Sequence, residues 1–506
     1  MPENVKPRLF KENQLRKQEA NDKDLVAFEA ANRIENFRAT HGMNSPAPHE
    51  VQAPALTDLL ARFVHTLDLA AVPAQALAVA RNCIMDTVGV TLAGVAEAVG
   101  GKIIDFVREE GAAPAATVFG AGFRTSAADA ALANGTTGHA LDFDDVSPPM
   151  RGHPSVVCAI AALAAAEAAG KSGADVLAGY VAGVEVMVCL AYAVGRKHYD
   201  IGWHSTSTLG SIAAAASAAK VRGLDLEQTR VALAIGASMS SGLRRNFGSM
   251  TKPLHAGHAA RNGVTAAALA ARGFTADAAV IEAPLGFLAL FSEHPAPEAA
   301  ARLGQEWGIV KPGLNLKRHP CCYAAHHAID AALELRAEHG LTGAEVERID
   351  VLVAPKGLTA VIHPRPLTGL EGKFSLPYTV AAALVDGAVP MSAFTDQQVM
   401  RPALQTLLRK VHAREVEGDP VSVETPRFAD VTLTLAGGRK VQKRVQYPRG
   451  AAANPMTQEE LDAKFRDCAA VCLPAPAVEE ALAMLHGIDR LPDLGALMTV
   501  LGGSAR

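Results

Sequence analysis

From Val156 to Val194 the chain reads "VVCAIAALAAAEAAGKSGADVLAGYVAGVEVMVCLAYAV". Alanine is the best helix former and brings almost no side-chain volume, so such a run folds into helices that pack closely in a buried layer. Single carboxylates at Glu167, Asp175 and Glu185 interrupt it, which marks buried helices of a globular core and not membrane spans. Gly170 ends the first helix, and Ser172, three residues before Asp175, opens the second as a capping box. Asp225 and Gln228 repeat that signature, and Ser155 is expected to be the N-cap at the head of the run.

Upstream, "LTDLLARFVHTL", "AQALAVARNCIMDTVGVTLAG" and "TSAADAALANGTTGHALDF" carry apolar residues at three- and four-residue spacing. Aromatics are only 5% of a chain that is 49% hydrophobic, a balance that fits close-packed helices better than an aromatic-cored sandwich. Because 506 residues exceed one ordinary core, a second unit is expected, and near residue 310 the pattern changes. "VERIDVLV" alternates, and "RFADVTLTLAGGRKVQKRVQYP" reads as a hairpin turning at Gly437 and Gly438. The expected fold is mainly α: a large all-helical domain built from both chain ends, with an inserted smaller α+β domain. Its parts are a polar extension (1–50), the helical body (51–308), the α+β unit (309–450) and helices that return to the first domain (451–506).

A net charge of -4 excludes a polyanion-binding balance, so no nucleic-acid partner is expected. The opening "MPENVKPRLFKENQLRKQEANDKDL" lacks the apolar stretch of a secretion signal. The seven cysteines are odd in number, sit mostly in apolar helical pattern and form no CxxC pair, which fits a reducing, cytoplasmic setting.

Chemistry concentrates in a few stretches. "HALDFDDVSPPMRGHPS" brings His139, Asp142, Asp144, Asp145 and His153 together. Its aspartates could simply cap a helix end and pair with an arginine. They also fit a magnesium-dependent isoprenoid enzyme, a remote reading because no second acidic motif at matching helical spacing accompanies them. His153 precedes proline, which holds its backbone extended. "RKHYDIGWHSTSTLGS" sets His198 and His204 before a hydroxyl-rich helix start, where an anion is favoured, although those hydroxyls could serve as caps alone. "LRRNFGSMTKPLHAGHAARNG" supplies Arg244, Arg245, Lys252, His255, His258 and Arg261. A basic run is ordinarily a solvated face, but glycine and proline break this one. "LNLKRHPCCYAAHHAID" adds Lys317, Arg318, His319 and Tyr323 ahead of a helix.

In this order and spacing, these four motifs resemble the MmgE/PrpD family, which includes 2-methylcitrate dehydratases, cis-aconitate decarboxylases and iminodisuccinate epimerases. The similarity runs from about residue 55 through "NPMTQEELDAKF" to the C-terminus. It implies the two-domain fold described above, a homodimer, and catalysis without metal or other cofactor on a small anionic polycarboxylate. The family pocket falls on Asp142, His153, His204, Lys252 and Lys317, with Tyr378 of "GKFSLPYTVAAALVDG" as a sixth. The resemblance assigns His153 as general acid or base oriented by Asp142, and His204 as a second proton carrier or a hydrogen-bond donor to a carboxylate. Tyr378 becomes a hydrogen-bond or proton donor, and Lys252 and Lys317 the ligands of substrate carboxylates. Dehydratase and decarboxylase members of the family carry a threonine four residues after the first aspartate, whereas this chain has Val146. The expectation is therefore a metal-independent lyase moving a proton next to a carboxylate. A 2-methylcitrate dehydratase-like C–O lyase leads, with an epimerase or decarboxylase of a related acid as the alternative. A catalytically silent carboxylate-binding protein is the remaining rival, and proton exchange from bound substrate would separate it.

Overall fold

In the computed structural model, which describes residues 55–418 and 427–503, the alanine-rich run forms helices Ser155–Ala169 and Gly173–Val194. The polar extension assigned to residues 1–50 lies outside the described residues. Both capping boxes form, Ser172 with Asp175 and Asp225 with Gln228. Ser155 differs: Pro154 holds the N-cap position and Ser155 is the first helical residue, its hydroxyl drawn instead toward Asp145 and Tyr180.

Helix Ser205–Arg222 is packed by Ser155–Ala169, Gly173–Val194, Leu226–Ser238 and Thr251–Ala270. Thr251–Ala270 also crosses Ala127–Gly138 at a contact between two glycines. A Cβ at Gly257 would lie 2.2 Å from the Leu132 carbonyl oxygen, and one at Gly135 would lie 2.7 Å from the Gly257 Cα. Only glycine allows this approach, and both helices lead directly into the site described below. Ala74–Gly94 and Gly173–Val194 are long and apolar enough to cross a membrane, but 72% and 94% of their apolar windows are buried within the protein.

The buried apolar side chains sort into two main clusters. The larger draws on residues 56–314 and again on 461–501, with helix Gln458–Ala469 laid against Ala74–Gly94. The second comprises residues 321–445. There, helices Tyr323–His339 and Leu376–Asp386 cover a four-stranded sheet in the order Val411–Glu415, Val346–Val353, Ala429–Leu435, Lys440–Val445. The first pair is parallel and the others are antiparallel. The expected hairpin turns at Gly437 and Gly438, both at φ 82°. Strand Val411–Glu415 was not anticipated, and its "VHARE" has little apolar alternation to betray it.

Glu185, deep in its helix, accepts hydrogen bonds from the Gly308 and Ile309 amides where the chain leaves the first core. Burial pushes its carboxyl up to about 7 from an ordinary 4.5, against the opposing pull of those amides. Between these values the folded state holds a proton that the unfolded chain has released, so stability falls as pH rises through the window. The loss from this group is about 3 kcal/mol. Urea unfolding of wild type and Glu185→Gln at about pH 5 and about pH 8 is expected to show that this part of the slope disappears in the variant.

Candidate active site

Helix Ala127–Gly138 ends at His139, and the loop that follows carries the acidic cluster. Asp142 and Arg151 in that loop are left-handed, both at φ 53°, a conformation that non-glycine residues adopt sparingly and that concentrates at functional sites. Asp142 is the hub. Its Oδ1 accepts from Lys252 Nζ at 2.9 Å and from Lys317 Nζ at 3.0 Å, and its carbonyl accepts from Lys317 at 2.6 Å. Lys252 stands in the first turn of helix Thr251–Ala270, whereas Lys317 comes from the strap joining the two cores. Burial alone would raise the Asp142 carboxyl, but the charges of Lys252 and Lys317 outweigh it and hold the group well below the usual carboxylate range.

The three aspartates divide the work. Asp144 accepts from His139 Nδ1 at 2.9 Å and lies 3.2 Å from His153 Nδ1. It too stays ionised despite its burial, held down chiefly by those two imidazoles. Asp145 turns away, accepting from the Ser155 amide at 3.2 Å and from the Ser155 hydroxyl, which is itself 2.6 Å from the Tyr180 hydroxyl. Burial pushes the Asp145 carboxyl up to about 7, so this residue anchors the next helix.

His139 Nε2 lies 2.8 Å from Lys252 Nζ. Burial lowers its pKa to about 3, so the ring is neutral: Nδ1–H donates to Asp144 and Nε2 accepts from the ammonium. His204 Nδ1 lies 3.0 Å from His255 Nδ1. Burial and then the charge of Lys252 push the pKa of His204 well below its ordinary value and that of His255 to about 4. His153 Nε2 is 3.6 Å from Asp142 Oδ1, and its Nδ1, though near Asp144, is out of line for a hydrogen bond.

The structure brings Asp142, His153, His204, Lys252 and Lys317 to the wall of one cavity of about 110 Å³. Tyr378 does not reach it. Helix Leu376–Asp386 faces the second core, and the buried Tyr378 hydroxyl donates to the Ala393 carbonyl at 2.5 Å. That segment sends Phe374 to the cavity instead, while Tyr199 and Tyr323 provide the tyrosines. Val146 lines the wall without a hydroxyl. Among the basic residues singled out earlier, Arg244 stacks 3.8 Å over Tyr199, and Arg261 pairs with Asp129 at a half-exposed site.

Two lysines escaped notice in the sequence. Lys464, from the C-terminal part of the chain, donates to the carbonyls of Phe143 and Lys317 and pairs with Asp86 at 2.6 Å. Lys373 donates to the Leu141 and Pro320 carbonyls, and burial pushes its ammonium down to about 8. Both brace the backbone that presents Asp142 and Lys317. His139, Asp142, Asp144 and His153 offer ligand atoms within 4.8 Å of one another, the spacing of a metal site. However, both nitrogens of His139 are engaged, and two ammonium groups already converge on Asp142 Oδ1. A divalent cation would have to displace them.

Comparison with known proteins decides the ancestry. The MmgE/PrpD N-terminal domain matches residues 58–300 and the MmgE/PrpD C-terminal domain matches 319–489. The cis-aconitate decarboxylase of Mus musculus is 30% identical over 461 residues, 89% of this chain and 94% of the relative. The chain belongs to the MmgE/PrpD family. The human cis-aconitate decarboxylase is 29% identical over 89% of this chain and 95% of its own length, and that of Aspergillus terreus is 26% identical over 85% and 92%. Like these relatives, this MmgE/PrpD chain is an enzyme. Its second matched segment extends to residue 489, yet the side chains from 461 onward pack in the first core.

Proposed function

We propose that this enzyme removes carbon dioxide from a small polycarboxylate of the cis-aconitate kind. The observation that carries the reading is the convergence of Lys252 and Lys317 on one carboxylate oxygen beside His153, at the wall of a small cavity. Two ammonium groups on one oxygen leave positive charge at that corner, suited to an anion that gains charge during reaction. In such a substrate one carboxylate sits on a methylene next to a carbon–carbon double bond. Its loss breaks a C–C bond, whose electron pair becomes a new double bond. The pair of the old double bond moves to the carbon beside a second carboxylate, giving an enediolate. The lysines balance that charge, and His153 delivers a proton to the carbon.

The likeness to decarboxylases favours this alternative over the water loss of a 2-methylcitrate dehydratase, which led on sequence grounds. The hydroxyl absent at Val146 bears on which acid fits, because no step above uses a hydroxyl. Incubation with cis-aconitate, 2-methylcitrate and succinate-like acids in deuterated water, followed by NMR, tests the reading. Carbon dioxide release with one deuteron incorporated beside a carboxylate is expected. Water loss or deuterium exchange without net loss would replace it with a dehydratase or an epimerase. We further expect turnover to survive exhaustive chelation, since ammonium groups fill the place a cation would take. Activity lost to chelator and restored by magnesium would overturn this.

A further inference from the structure

Arg151 lines the same cavity, and the reaction above leaves it without a role. Its side chain is only 11% exposed. One nitrogen, Nη1, donates to Asp200 at 2.9 Å, and the guanidinium lies 5.0 Å from the centre of the Tyr199 ring. The other terminal nitrogen, Nη2, is buried with no hydrogen-bond partner. A donor in that state is unfavourable unless a ligand completes it. Arg427, also on the cavity wall, adds a second guanidinium whose charge acts on Arg151. Like charges on one cavity wall are relieved by an anion between or beside them. The left-handed backbone at Arg151 and the clamp of Asp200 and Tyr199 hold the guanidinium in one place.

We propose that Arg151, assisted by Arg427, forms a subsite for a second substrate carboxylate, separate from the one engaged by Lys252 and Lys317, and so selects polycarboxylates over monocarboxylates. This rests on the polycarboxylate reading above and deepens it. Arginine suits the task because one arm of its planar fork can hold Asp200 while the other donates to a carboxylate, whereas a lysine acts as a point charge.

The test is calorimetric binding of tricarballylate, glutarate and butyrate to the full chain at fixed ionic strength, with no turnover required. Wild type is expected to prefer tricarballylate. Arg151→Gln is expected to weaken tricarballylate by about tenfold or more and butyrate by less than about twofold, and Arg427→Gln to act in the same sense by a smaller factor. Lys252→Met is expected to weaken all three. Thermal melts show whether each variant folds, and Arg427→Gln carries the test if Arg151→Gln does not. Wild type that binds none of the three acids overturns the polycarboxylate reading and the subsite with it. Wild-type binding that folded Arg151→Gln or Arg427→Gln leaves unchanged, or weakens equally for all three acids, overturns the subsite alone.

Discussion

His153→Asn is expected to lower turnover by about two to four orders of magnitude while changing substrate affinity far less. The expectation follows from the occupancy of the neighbouring imidazoles. His139 has both nitrogens engaged, by Asp144 and by Lys252, and burial keeps its ring neutral with a pKa of about 3. His204 faces the cavity but is tied to His255 at 3.0 Å, and burial beside Lys252 disfavours its charged form. His153 stands at the cavity between two ionised aspartates, with Nε2 3.6 Å from Asp142 and Nδ1 unbonded. That arrangement leaves His153 with an unengaged ring nitrogen beside the cavity. Asparagine keeps a polar group of similar reach and removes the imidazole that would carry the proton. Single-turnover rates against pH for His153→Asn and His204→Asn, with thermal melts as a folding control, check the assignment. A near-normal rate and pH profile in the first variant, with the second inactive, would transfer the role to His204.

The second large effect is expected at the lysines, and the two are predicted to differ. Lys252→Met is expected to reduce kcat/KM by about 10²–10³, through binding and turnover together, since in the proposed reaction the ammonium on the cavity wall would meet both the substrate carboxylate and the charge that develops on it. Methionine retains much of the stem packing and Lys317 remains on Asp142, but His139 and Asp142 lose a buried partner, so the melting temperature is expected to fall, by less than in the Lys317 variant. Lys317→Met removes a fully buried ammonium that holds both the carbonyl and the carboxylate of Asp142. Breaking a buried pair from one side costs about 3–5 kcal/mol. This variant is therefore expected to lose stability as well as activity. Steady-state kinetics alongside denaturant unfolding separate the two outcomes. Normal turnover in both variants at low substrate would show that the pocket is misplaced.

The helical body was legible because its signals are local. Caps such as Ser172 with Asp175 act within one turn, and burial imposes a period on residues a few positions apart. The five polar residues that meet at the cavity could be named from motif order, yet their partners could not. The contact of His139 with Lys252 spans more than a hundred positions and exists because Gly135 and Gly257 let their helices cross closely. Tyr378 shows the limit of reading by motif: the stretch was placed correctly beside the cavity, but the direction of the tyrosine depends on which face of its helix the second core buries. Phe374, just ahead of that helix, reaches the wall instead. Arg427 opens the hairpin stretch, whose alternation speaks of a strand and not of a site, and only the folded chain brings it to one cavity wall with Arg151.

Lys464 ties helix Gln458–Ala469 to the chemistry. The loop bearing Asp142 and the strap bearing Lys317 are joined through its ammonium, which is synthesised long after both. As the chain emerges from the ribosome, the early helices can collapse on one another while that loop still lacks its brace. Competence thus waits for helix Gln458–Ala469, and a product cut short after the sheet would carry every residue assigned to the chemistry without the ammonium that joins loop to strap.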